Sequence, residues 1–239
     1  MQTRLIVSVT FAMILILSAG AAAHRPLFTN SDTSDPESAL RVPNPSTSHV
    51  IYAELTESDP VQWFVFEIEK PQEIPILIGV PAGISPDDFR PGVVLLGPGW
   101  SEPPREFTLP PSIEDGARVI TIRSGENAEP FYEPITGTKS QIFVETKVQF
   151  EEVGTYYGAI YEADGQEGKL WVGIGKSEGF SWRDALRLPG WIRDVRQFHE
   201  VSGWPPWAYI ATLSLLAIVL GAFAWMRLRR RRERSKKFG

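Results

Sequence analysis

The residues best suited to chemistry in this chain are three histidines, His24, His49 and His199, and a handful of acidic clusters. If the chain is cut after Ala23, the free amine and imidazole of His24 could hold a copper ion, with His49 as a third nitrogen. Imidazole suits copper, and an exported site meets the metal directly. The nearby Pro26 and the lack of any Met- or Cys-rich copper motif weigh against this reading. Asp87-Asp88, Glu151-Glu152 and the pair Glu162 and Asp164 sit in or beside expected turns, where carboxylate oxygens could converge on calcium. None has Asp-x-Asp-x-Asp-Gly spacing, so solvated turn acids are the simpler account.

Catalytic patterns are scarce. With 0 cysteines there is no thiol nucleophile, and the chain has no His-Glu-x-x-His pair or Gly-x-Gly-x-x-Gly loop. Paired carboxylates could cleave glycosides, but their separation decides that chemistry and one sequence does not set it. Trp63, Trp100, Tyr132, Tyr157 and Trp171 could form a stacking platform for a ligand, although core filling explains most of them. No catalytic residue is assigned, and a non-enzymatic role is the expectation.

The elements that must position these residues begin with the two ends. Residues 207–226 form a charge-free, largely apolar run followed by a tail with Arg227, Arg229, Arg230, Arg231, Arg232, Arg234, Lys236 and Lys237 against the single Glu233. Twenty helical residues rise about 30 Å, the thickness of a bilayer's hydrocarbon core, and a cationic flank is retained on the cytoplasmic side. A single-pass protein of the plasma or inner membrane is expected, with its C-terminus cytoplasmic and everything before Trp204 outside. Trp204, Trp207 and Tyr209 would mark the outer interface and Trp225 the inner one. At the other end Arg4, an apolar stretch over residues 5–17 and the small residues 18–23 make the three-part pattern of a signal peptide. An uncleaved N-terminal anchor is the alternative, for which the apolar run is short.

Taking out these ends leaves 15 Lys+Arg against 28 Asp+Glu in the exported part, near −13. Such a domain does not attract nucleic acid, and it suits cations, basic partners or plain solubility. Without disulfides the fold must rest on an apolar core. The absence of cysteine and of an Asn-x-Ser/Thr acceptor points to a bacterial cell envelope.

Residues 24–46 are polar and turn-rich and read as an extended arm. From 47 to 176, short β-branched and aromatic runs alternate with Gly, Pro and Asp, a strand-and-turn rhythm. Strands are expected at 48–55, 61–69, 73–80, 92–97, 117–123, 141–149, 154–162 and 168–175. Ile142, Val144, Thr146 and Val148 face one way while Glu145 and Lys147 face the other, as in a half-buried antiparallel strand. Asp164-Gly165 between the last two strands predicts a hairpin. These features predict an all-β ectodomain, one antiparallel β-sandwich, with Phe64, Phe66, Ile68, Ile76, Ile78, Val144, Val148, Ile160, Val172 and Ile174 in its core.

The runs Ser48-His-Val-Ile-Tyr-Ala-Glu54, Trp63-Phe-Val-Phe-Glu67, Phe89-Arg-Pro-Gly-Val-Val-Leu-Leu-Gly-Pro-Gly99 and Gly154-Thr-Tyr-Tyr157 resemble bacterial exported domains of the pre-peptidase C-terminal (PPC-like) type. The resemblance covers roughly residues 46–176. It implies a jelly-roll β-sandwich with a binding or accessory role and supplies no catalytic residue; no peptidase domain precedes the module here.

Between sandwich and bilayer, residues 177–204 interleave Arg183, Arg187, Arg193 and Arg196 with apolar side chains. After a break at Pro189-Gly190, Trp191, Ile192, Val195 and Phe198 fall on one helical face. Two readings are open: a helix lying in the membrane interface, or a helix packed against the sandwich. The organisation is therefore signal peptide 1–23, arm 24–46, sandwich 47–176, juxtamembrane amphipathic segment 177–204, transmembrane helix 205–226 and basic tail 227–239. The expected function is a membrane-anchored extracytoplasmic module that contacts membrane lipid and a protein or glycan partner, with a metal-binding or hydrolytic ectodomain as the alternative.

Overall fold

The computed structural model describes residues 24–100, 119–177 and 181–235. The expected signal peptide, the first two residues of the strand expected at 117–123, and Lys236 and Lys237 lie outside the described residues. The chain forms two units, dividing after Val201.

Among the described residues of the first unit eleven strands form two sheets, β1 (Arg25–Phe28), β2 (Leu40–Arg41), β3 (His49–Leu55), β4 (Val61–Ile68), β5 (Gln72–Pro81), β6 (Pro91–Leu96), β7 (Val119–Arg123), β8 (Glu129–Glu133), β9 (Thr138–Phe150), β10 (Gly154–Glu162) and β11 (Gly168–Ile174). The six-stranded sheet has the order β1-β3-β11-β5-β9-β8, the five-stranded sheet β2-β4-β10-β6-β7. Between their inner faces lies the apolar core that a disulfide-free domain requires. All ten residues expected there belong to it, nine of them buried and Val144 partly so. An aromatic group of Phe66, Phe150, Tyr156 and Trp100 fills one part, with Phe150 and Tyr156 edge to face at 4.9 Å. Phe64 lies over Gly158, where an added Cβ would come within 2.0 Å of the ring, so only glycine admits that packing.

Three features differ from the expectation. The polar stretch 24–46 is not an extended arm: it holds two short 3-10 turns, Ser31–Ser34 and Pro36–Ser38, and is built into the fold, where β1 pairs with β3 and β2 with β4, both in parallel, so the sandwich is antiparallel except at these two edges. Pro130 did not suggest a strand, yet β8 pairs with β9 at the opposite edge, a position where a missing N–H is tolerated. The third difference concerns β10 and β11, which do not form a hairpin. β10 lies between β4 and β6, and β11 between β3 and β5, so the turn at Asp164-Gly165 carries the chain from one sheet to the other. Gly165 supplies the left-handed turn conformation at φ 73°. The Glu162 carboxylate accepts the backbone N–H groups of Asp164 and Gln166, both at 2.8 Å.

After the last strand, helix α1 (Trp182–Phe198) begins at a capping box in which the Ser181 hydroxyl accepts the Asp184 amide and the Asp184 carboxylate accepts the Ser181 amide. It continues through Pro189 without ending there; both Pro189 and Ala185, whose carbonyl loses its partner, are exposed to water. The second unit contains helix α2 (Pro206–Ser235), which runs on past the apolar run into the arginines. Its stretch Pro206–Arg227 is long and apolar enough to cross a membrane, and none of it is buried.

Replacing Glu162 by Ala removes the acceptor of two amides in a turn shared by both sheets, and an expected loss of about 2 kcal/mol follows. Urea unfolding monitored by tryptophan fluorescence measures it; a loss below about 0.5 kcal/mol, the range of neutral surface changes, would refute this role.

Candidate functional site

The sequence points to His24 and His49, and β-sheet register decides whether they meet. Arg25 pairs with His49, and partners in a ladder share a face. His49 therefore lies on the face of Ile51, Ala53 and Leu55, towards the core, and is 1% exposed. His24 lies level with Ser48 on the outer face, where its Nδ1 is 2.5 Å from the Ser48 hydroxyl oxygen. The two imidazoles point to opposite sides of the sheet and do not converge. Among the described residues no group of three His, Asp or Glu side chains is arranged to hold a metal ion.

His49, Asp88 and Glu162 each have a local partner. His49 Nδ1 donates to the Thr47 carbonyl at 2.8 Å, so in the neutral ring Nε2 is a bare acceptor, and it is buried without a donor. Burial holds the His49 pKa below its usual value, Arg25 adds to the depression, and the bond to Thr47 opposes it. Asp88 accepts the Gln166 side-chain amide, and Glu162 caps its turn as described above. Among the aromatics, Trp63 belongs to a second apolar cluster of the five-stranded sheet, against which Tyr157 packs; Trp171 lies in the other sheet, and Tyr132 is exposed. They form no common platform.

The polar structure that the sequence does not announce lies on the outer face of the six-stranded sheet, beneath α1. His199, just past the helix end, donates from Nδ1 to the Val195 carbonyl at 2.9 Å, which leaves Nε2 to accept from the Ser140 hydroxyl at 3.2 Å. Ser140 in turn accepts Trp171 Nε1–H at 3.0 Å. The Trp171 ring can lie where it does because residue 79 is Gly; a Cβ there would come within 2.2 Å of it. Arg196 is buried and donates to the Thr136 carbonyl at 2.5 Å. Phe28, Tyr52 and Phe198 stack into the same layer, with Tyr52 and Phe198 5.1 Å apart. At the helix start Arg25 donates to Asp184 at 3.0 Å. Hydrogen bonds from the Ser181 hydroxyl and amide, then that arginine, hold the Asp184 carboxyl down at about 2. Burial lowers the His199 pKa, Lys169 adds to this, and the Val195 bond opposes it.

Next to the helix the same sheet face is open. A groove of about 590 Å³ is lined by His24, Ser48, Pro75, Leu77, Glu145 and Lys147 among others. It has both charges, an apolar floor and the Ser48 hydroxyl in contact with the His24 imidazole. Such a surface can bind a ligand.

Trp204, Trp207, Tyr209 and Trp225, expected at a membrane interface, are all exposed, the Trp204 amide donating to the Tyr209 hydroxyl at 3.3 Å. Arg227 lies over the Phe223 ring at 4.6 Å. Arg229, Arg230, Arg231, Arg232 and Arg234 continue α2.

No protein-family model matches the chain, and no curated protein sequence does. Solved structures give matches at low similarity. The pre-peptidase C-terminal domain of a collagenase from Bacillus anthracis is 15% identical, covering 57% of this chain and 93% of that one at a TM-score of 0.31. CorA, a surface-associated copper-binding protein important in copper acquisition by Methylomicrobium album BG8, is 9% identical, covering 65% and 99% at 0.29. Similarity at this level carries no inference about function.

Both depressed histidines are neutral in the folded chain and titrate at higher pH when unfolded. The unfolded state therefore binds more protons as pH falls through about 6.5, and stability, complete above that pH, declines below it. Asp184 has the opposite origin and the same sign, contributing above the usual carboxylate range and losing its effect towards about pH 2. Urea unfolding between pH 7.5 and 5 is expected to show falling stability, with a shallower slope in His49→Gln. An unchanged slope in that variant contradicts the assignment.

Proposed function

We propose that this chain is an exported β-sandwich held at the cell membrane by one helix, with its C-terminus in the cytoplasm, and that the sandwich serves as a binding or accessory module for an extracytoplasmic protein or glycan. The observation that carries the reading is the Pro206–Arg227 stretch. It is apolar, has no buried surface, and leads into an arginine tail. A helix exposing Ile210, Leu213, Leu216, Leu220 and Phe223 to water is costly, and a bilayer removes that cost. The tail fits retention on the cytoplasmic side, and the signal-peptide pattern at the start fits export.

A binding role is supported by the groove, whose lining offers both charges and an apolar floor. The repeated crossing of the chain between two sheets is compatible with a jelly-roll connectivity of the PPC-like type. Copper at His24 or calcium at the acidic turns is the alternative; the copper version keeps His24 but loses His49 to the other face of the sheet.

Fusions to the C-terminus test the topology. A fluorescent protein that matures only in the cytoplasm is expected to be bright there, and alkaline phosphatase, active only outside, to be silent; the reverse pattern overturns the proposal. Pull-down of detergent-solubilised full chain is expected to recover a partner that Leu77→Glu, in the groove floor, reduces at least about tenfold if it removes about 1.4 kcal/mol of binding. Metal analysis of the same preparation separates the alternative, which requires stoichiometric copper or calcium.

A further inference from the structure

We infer that the solvent face of α1 is a second membrane contact, a surface that takes anionic lipid headgroups. This rests on the reading that α2 is a membrane anchor. The face expected from sequence to meet lipid, with Ile192, Val195 and Phe198, is already committed to the sheet. At 100° per residue the other side of the helix carries Trp182, Leu186 and Arg193 within one narrow sector, with Arg183 and Arg187 alongside. Trp182 is 71% and Leu186 74% exposed, among the most exposed large apolar side chains in the first unit. Arg183 lies over the Trp182 ring at 5.5 Å. The one acid on this side, Asp194, is paired with Arg193 at 2.8 Å.

Charge selects the occupant. The exported part is near −13, so an anionic bilayer repels most of its surface and attracts this one. Tryptophan and leucine flanked by arginine suit the boundary between headgroups and acyl chains, because the rings and aliphatic stems enter while the guanidinium groups remain at the phosphates. Only residues 199–205 separate α1 from α2, so in an anchored chain the linker keeps α1 within reach of headgroups and a weak contact suffices. The contact would hold the sandwich in one orientation on the membrane.

The test uses full chain reconstituted in nanodiscs of phosphatidylcholine with or without phosphatidylglycerol. The chain has 0 cysteines, so Leu186→Cys, Ser58→Cys and Leu215→Cys each carry one environment-sensitive fluorophore. With phosphatidylglycerol, lipids bearing a headgroup nitroxide are expected to quench the probe at 186 and not the one at 58. Adding Arg183→Glu and Arg187→Glu is expected to lower the docked-to-free ratio by about fivefold or more per arginine. Equal quenching at 186 and 58 overturns the inference, and so does a probe at 186 that responds to added polyglutamate and not to lipid. The probe at 215 separates the two readings. Quenching there by acyl-chain nitroxides keeps the anchor even when the surface contact fails, and no quenching at 215 overturns both.

Discussion

The constraint on which the rest of this fold depends is the arch formed by β10 and β11. Its two strands are interior to the two sheets: without β10 the five-stranded sheet falls into β2-β4 and β6-β7, and without β11 the six-stranded sheet falls into β1-β3 and β5-β9-β8. The last segment of the sandwich in sequence is thus the one that unites it. His49 to Leu55 must wait for Gly168 to Ile174, and Val61 to Ile68 for Gly154 to Tyr161. Pairings of this separation pay a large loop-closure cost before they gain contacts, so a chain emerging from its N-terminus holds an open core until about residue 174 is available. The same logic explains the investment in the turn. A buried glutamate that satisfies two amides and a glycine with positive φ fix the crossing between sheets where a one-residue slip would turn every side chain of β11 to the wrong face.

Much of this was legible in the sequence because one face of many strands is wet. In β9, Glu145, Lys147 and Gln149 alternate with residues that face the core, a period that fixes type and facing from Val144 onward; the bulge opposite Ile78 and Gly79 turns Ile142, expected on the core face, to the outer face. Legibility fails where the period disappears. The last five residues of β10 and of β11 are buried on both faces, so nothing in either strand says which neighbour it takes. Asp164-Gly165 specifies a reversal and leaves open whether the reversal stays within a sheet. β1 and β2 were invisible for a related reason: parallel edge pairing uses backbone groups that any polar residue supplies, and the partner lies more than twenty positions away. The candidate metal pair was misleading in the same way, since residue type was visible and the face of the sheet was not.

Helix α1 shows how an amphipathic pattern can have two correct readings. Both sides carry large apolar groups, Ile192 and Val195 on one and Trp182 and Leu186 on the other, so periodicity alone offers the sheet and the bilayer on equal terms. Polar atoms break the tie. Arg196 has a carbonyl to donate to at Thr136, and His199 has both of its nitrogens engaged, by Val195 and by Ser140, which itself holds Trp171. A membrane interface offers hydration to such groups but no fixed partners, whereas a helix seated on the sheet satisfies them in one geometry. That geometry suits a neutral histidine, whose Nε2 accepts from Ser140, the protonation state that burial itself favours. The seat of α1 and the state of His199 therefore support one another, and it is this mutual dependence, more than the apolar stripe, that assigns one face of the helix to the sandwich and leaves the other facing outward.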